Sequence, residues 1–137
     1  MKKFEIPIQI RFKDIDAMGH VNNAVYFSFF EVGRLEFFMK ILKAKSTEDF
    51  PFILAKTEAS FLIPIDLTCK NVILRLWAGD FGKKSFKFFY ELVEKDKPVK
   101  YAEGESIQVF FDYKSKRTIP VPETFKEKIK DFITEQT

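Results

Sequence analysis

Apolar and polar residues alternate strictly over residues 4–12. Phe4, Ile6, Ile8, Ile10 and Phe12 face one way, and Glu5, Pro7, Gln9 and Arg11 face the other. A period of two predicts a half-buried strand. Pro7 has no amide donor, so one side of this strand is expected to be a free edge. Residues 13–22 are polar and turn-forming and read as a loop. The pattern then changes. From Ala24 to Leu42 the chain carries no proline, and its polar residues Ser28, Glu31, Arg34 and Lys40 recur at helical spacing among apolar ones. This predicts a helix over 24–42, capped by Asn22 or Asn23. A helix apolar on nearly all sides is a buried helix. Glu31 and Arg34 are three apart on it and are expected to pair.

The remainder reads as strands at 52–63, 71–80, 84–94 and 99–112. Val72, Leu74, Leu76 and Ala78 share one face, as do Phe86, Phe88, Tyr90 and Leu92. Asp96-Lys97-Pro98 reads as a hairpin turn. Short connections between consecutive strands imply antiparallel pairing. The tail, Glu123 to Thr134, spaces Phe125, Ile129, Phe132 and Ile133 as an amphipathic helix. The expected class is α+β, a single domain over residues 1–137, with a five-stranded antiparallel sheet wrapped around one long central helix and a short C-terminal helix.

Composition narrows the function classes. At 46% hydrophobic and 31% charged, the chain is globular rather than disordered. The net charge of +3 suits an anionic small molecule, but without a basic stripe it argues against nucleic acid. One cysteine, Cys69, and one histidine, His20, leave no metal-binding cluster, and no metal or cofactor is expected. Cys69 has no second histidine to serve it as a nucleophile. The N-terminus lacks the apolar run of a signal peptide, and no stretch reaches the length of a membrane span. A cytoplasmic protein with no membrane partner is expected.

The segment with chemistry is RFKDIDAMGHVNNAVYFSFFEVGR, residues 11–34. Asp14 and Asp16 precede a helix whose first amides lack internal partners and carry partial positive charge. Such amides suit a carbonyl oxygen that gains negative charge. A nearby carboxylate can act on the same carbonyl as a base for water or as a nucleophile. A loop aspartate that only caps the helix start would show the same pattern.

This segment resembles the N-terminal motif of the 4-hydroxybenzoyl-CoA thioesterase family of hotdog-fold acyl-CoA thioesterases. RTIPVPETF, residues 117–125, is similar to the ending common in that family. The resemblance implies a hotdog fold and hydrolysis of an acyl-CoA thioester to free acid and CoA. It places Asp16 as the catalytic carboxylate and the amide of Asn23 as the oxyanion donor. His20 becomes a residue that polarises the carbonyl or orients Asp16. Gly19 allows the close turn beside the substrate, and Tyr26 lines the acyl pocket or packs in the core. Lys84 and Arg117 are the candidates for the CoA phosphates. Asp14 reads as structural, and Asn22 as a cap. The family works as homodimers or homotetramers with sites at subunit contacts. An acyl-carrier-protein thioester is the alternative substrate, and a non-catalytic acyl-thioester binding module is the alternative class.

Overall fold

The computed structural model describes residues 1–46 and 49–134. Its elements in chain order are β1 (Phe4–Ile8), α1 (Asn23–Lys40), β2 (Phe52–Phe61), β3 (Val72–Gly79), β4 (Ser85–Glu94), β5 (Lys100–Asp112), β6 (Arg117–Thr118) and α2 (Glu123–Ile129). The strands form one antiparallel sheet in the order β1-β3-β4-β5-β2, and β6 pairs with the end of β5. The sheet therefore has six strands rather than five, the sixth being two residues long. The α1 helix is 18 residues long and ends at Lys40, two residues short of the expected boundary. A sheet packed on this helix is consistent with the hotdog arrangement. No helix among the described residues is long and apolar enough to cross a membrane.

The alternating faces read from the sequence are the buried ones. Val72, Leu74, Leu76 and Ala78 of β3 and Phe86, Phe88, Tyr90 and Leu92 of β4 are all buried. They meet Phe29, Phe30, Gly33, Phe37 and Phe38 of α1 in one core. Phe30 stacks on Tyr90 at 4.3 Å, and Phe37 meets Phe88 edge-on at 5.3 Å. Such ring pairs each add about 0.5–1.5 kcal/mol beyond burial. Pro7 lies on β1, an edge strand as expected, opposite Ile73 of β3.

Three further expectations change. The first strand ends at Ile8, and Phe12 is 84% exposed instead of core-facing. The chain bends there into a 3-10 turn, Phe12–Asp14, that Arg11 and Asp14 lock by capping each other. The C-terminal helix stops at Ile129 and tightens into a 3-10 turn over Lys130–Phe132, although Phe125 and Ile129 face the core as expected. The third change concerns α1. Glu31 and Arg34 do not pair; the Arg34 guanidinium instead donates to the Tyr90 hydroxyl at 3.0 Å. Tyr90 shares its hydroxyl with Ser106 at 2.6 Å, and Ser106 donates to Gln108, all three being buried. The far side of α1 is open: Val32, Leu35 and Met39 are 44%, 42% and 47% exposed. One small sheet covers one side of a helix that is apolar on both.

Close approach makes two glycines structural. A Cβ at Gly33 would collide with the tip of the Leu74 side chain. A Cβ at Gly104 would lie 2.5 Å from the Glu58 carbonyl and 2.6 Å from the Phe30 ring. The first obstacle can rotate away, whereas the second is backbone of the neighbouring strand. Gly104→Ala is therefore expected to cost about 1–3 kcal/mol and Gly33→Ala less. Thermal unfolding of the two variants checks the order, and equal melting temperatures would contradict it.

Candidate active site

The loop between β1 and α1 is a closed hairpin. The Asn22 amide donates to the Asp14 carbonyl at 2.9 Å, Ile15 bridges to Val21, and the Asp16 amide donates to the His20 carbonyl at 2.8 Å. The turn at its tip is closed by the Gly19 amide on the Asp16 carbonyl at 3.0 Å, with Gly19 at φ +81°. That left-handed backbone is cheap only for glycine. Val21 anchors the hairpin in the core, and its amide donates to the Ile65 carbonyl at 2.7 Å.

Asp14 supports this hairpin from within. Its side chain is 2% exposed and accepts from the Arg11 amide at 2.9 Å, from Arg11 Nε at 3.3 Å and from Arg11 Nη2 at 2.9 Å. Burial pushes the Asp14 carboxyl up, but the Arg11 hydrogen bonds and charge outweigh it and hold it below its ordinary value. The structural role expected of Asp14 is the one observed.

Asp16 is at the hairpin tip, where its Oδ1 accepts from the amides of Met18 at 2.9 Å and His20 at 3.3 Å, while Oδ2 accepts no hydrogen bond among the described residues. His20 thus touches Asp16 through its backbone on both sides, and its side chain is exposed. The start of α1 lies just beyond. The Asn22 side chain accepts from the Ala24 amide at 2.9 Å, and the Asn22 carbonyl accepts from the Val25 amide at 2.9 Å. Asn22 is the cap, as expected. The amide of Asn23, the first helical residue, has no acceptor among the described residues. An open carboxylate oxygen lies at the hairpin tip, and an open helix-start amide follows just past its base.

The other candidates divide. Tyr26 is buried, packed edge-on against Phe61 at 4.8 Å and near Phe29 at 6.2 Å. Burial raises its phenol above the ordinary value, so in this chain Tyr26 is core beneath the helix start. Lys84 and Arg117 are not at this site within one chain. The hairpin is fastened to Ile65, and Leu62 and Ile63 donate to the Tyr101 carbonyl at the start of β5. Arg117 pairs with Asp112 at the end of β5, and Lys84 donates to Thr118 beside it at 3.1 Å. Most of the length of β5 separates the two ends, about 35 Å. The sequence carries no signal for this separation, because both residues simply lie at strand ends.

Two residues near the site were not anticipated. Ile65 holds the hairpin through its carbonyl, which no side-chain pattern could reveal. Asp66 follows it, with its carboxyl held low by hydrogen bonds from the Thr68 hydroxyl and amide. Only the turn-forming run around Pro64 marks this loop in the sequence.

Comparison with known proteins bears on the chemistry. A family model described as the thioesterase-like superfamily matches residues 10–129. A thioesterase from Thermus thermophilus, solved with coenzyme A and zinc, is 27% identical with a TM-score of 0.79, over 93% of this chain and 92% of that one. Two further structures, at 22% and 14% identity, show the fold. One is a predicted thioesterase from Bacillus stearothermophilus, with a TM-score of 0.85 over 99% of this chain and 100% of that one. The other is a 1,4-dihydroxy-2-naphthoyl-CoA thioesterase from Synechocystis, with a TM-score of 0.80 over 95% of this chain and 97% of that one.

The Asp14 carboxyl is depressed, so its stabilisation is complete above the ordinary carboxylate range and is lost as pH falls through the lower folded value. Asp14→Asn is expected to cost about 1–3 kcal/mol at pH 7. The gap to wild type should close as pH falls below about 4. Urea unfolding across pH checks this; a gap that does not depend on pH would contradict it.

Proposed function

This chain belongs to the thioesterase-like superfamily, and from that premise we propose that it hydrolyses an acyl-CoA thioester through Asp16 and the amide of Asn23. The observation that carries the reading is the division of labour at the start of α1. Asn22 satisfies Ala24 and Val25 and leaves the Asn23 amide for an incoming oxygen. With the thioester carbonyl at that amide, Asp16 Oδ2 either takes a proton from an attacking water or attacks the carbonyl carbon itself. In the first route water oxygen bonds to carbon and the thiolate leaves as the oxyanion collapses. In the second the carboxylate oxygen bonds to the carbonyl carbon, the thiolate leaves as the oxyanion collapses to an acyl anhydride on Asp16, and water then cleaves that anhydride. Both routes pass through an oxyanion that the Asn23 amide and the helix dipole stabilise. The CoA thiolate leaves without a strong acid, which suits a site with so few side chains. His20 serves by holding Asp16 through its backbone, and Gly19 by closing the turn.

The second part of the proposal is that the working unit is a homodimer built along β2. Among the described residues that strand pairs with β5 on one side only, and its other edge runs for ten residues. Ile53, Leu54 and Phe61 on it and Val32, Leu35 and Met39 on α1 are exposed apolar residues. An unpaired edge beside an apolar helix face is a surface that a second copy can cover. Antiparallel pairing of two β2 strands sets the Phe52 end of one against the Phe61 end of the other. Arg117 lies at the Phe52 end, because β2 pairs Phe52 with Phe110 of β5. The partner subunit's Arg117 and the partner subunit's Lys84 then approach the Asp16 site, where they can hold CoA phosphates.

Asp16→Asn is expected to lower kcat on acyl-CoA by about 10²–10⁴. Asn23→Pro removes the amide hydrogen, yet the first helical position accepts proline, and Asn22 already has φ −61° and ψ 136°. It should therefore fold normally and lose about 10²–10³ in kcat, while Asn23→Ala stays near wild type. Thiol release from a panel of acyl-CoAs measures all three. Full activity in Asn23→Pro would remove the oxyanion role.

Leu35→Glu combined with Met39→Glu is expected to convert a sedimenting dimer into monomers and to abolish turnover with it. A monomeric variant that retains full activity would show that one copy suffices.

A further inference from the structure

We propose that the end of the molecule opposite Asp16 holds a second binding site, for a medium-chain carboxylate with an apolar body and a single anionic head. A cavity of about 310 Å³ lies between the end of α1, the start of β2, the end of β5 and α2. That volume is within the usual range for small-molecule sites, about 300–1,000 Å³. Four rings line it: Phe38, Phe52, Phe110 and Phe125. They form a continuous chain, with Phe38 and Phe52 at 4.7 Å, Phe52 and Phe110 at 6.0 Å, and Phe110 and Phe125 at 4.9 Å.

The rim has the opposite character. Lys43, Lys45 and Lys128 line it, against one acid among the described residues, Asp49. The Asp49 carboxylate is taken up by the amides of Lys45 and Ser46, at 2.8 and 3.2 Å. None of the three ammonium groups has a carboxylate within ion-pair distance among the described residues; α2's own pairs use Lys126 and Lys130. Lys43 also occupies a left-handed backbone position, φ 59°, where glycine would be cheaper. Lysines at a helix C-terminus commonly answer its dipole, but Lys128 comes from a different helix and faces the same opening. Unpaired cations over an aromatic floor complement an amphipathic anion: the alkyl body takes the rings and the carboxylate takes the ammoniums. Inorganic phosphate has no apolar body for the floor, and an alkyl cation is repelled by the rim.

The inference does not rest on the thioesterase reading, because the cavity uses none of the residues at Asp16. Its test is isothermal titration of the full-length protein with decanoate and, in parallel, with decyltrimethylammonium. Decanoate is expected to saturate at one per chain and to bind at least about ten times more tightly than the cation of equal chain length. Lys43→Glu with Lys128→Glu should weaken decanoate about tenfold or more, with thermal unfolding unchanged and acyl-CoA turnover within about twofold of wild type. Lys43→Gln with Lys128→Gln should act in the same direction if charge reversal disturbs folding. Equal binding of the two probes, decanoate affinity indifferent to both lysine pairs, or no saturation below about 1 mM would each overturn the proposal. Lysine-dependent decanoate binding by a protein that cleaves no acyl-CoA would remove the thioesterase reading and leave this site standing.

Discussion

Asp14 joins the end of β1 to the start of α1, and the geometry of the candidate site follows from that junction. Its carboxylate takes three donors from Arg11, while its carbonyl takes the amide of Asn22. A buried carboxylate is costly unless it is paired and fully hydrogen-bonded, so this arrangement has few ways to relax. Once Asp14 is placed, the pairs Ile15–Val21 and Asp16–His20 follow in register, and Asn23 is set as the first residue of α1. The chemistry proposed for Asp16 and Asn23 thus depends on a neighbour that touches no substrate.

The second constraint is coverage. The sheet buries the side of α1 that carries Phe29, Phe30, Phe37 and Phe38, and it leaves the side that carries Val32, Leu35 and Met39 open. The side toward β4 and β5 is closed by rings and by the chain of hydroxyls and amides from Arg34 through Tyr90 and Ser106 to Gln108. Burial raises the Tyr90 phenol, although the Arg34 charge and the Ser106 bond pull the other way. This network draws Arg34 inward and away from Glu31. Between α1 and β2 the surface is a groove lined by Ser28, Glu31 and Arg34 of the helix and Leu54 and Thr57 of the strand.

The two ends of the sheet differ in character. The end at Tyr101 and Phe61 carries the hairpin with Asp16. The end at Phe52 and Asp112 gathers Lys43, Lys45, Lys84, Arg117 and Lys128. A modest net charge of +3 conceals this concentration, because acids other than Asp49 and Asp112, which share this end, offset it from other elements. Glu91, for example, sits on β4 among Lys3, Arg75 and Lys100 at 3.0–3.5 Å.

Much of the fold was legible along the chain because period-two and helical patterns are local consequences of burial. The four strands at 52–112 and the buried faces of β3 and β4 follow from that alone. The motif around Asp16 could be read as well, since capping and the turn at Gly19 are matters of near neighbours. Helix 24–42 illustrates the boundary of such reading: its residues require burial, but only the tertiary structure shows one side covered and the other left open. The end of β1 at Ile8 and the exposure of Phe12 depend on the Arg11–Asp14 lock, which outweighs a perfect alternation. Lys84 and Arg117 could be placed at strand ends but not in space, because the length of β5 separates them from Asp16 in one chain. Periodicity records which residues must be buried; which groups then meet across the molecule depends on strand order and register, and those form only when distant segments pack together.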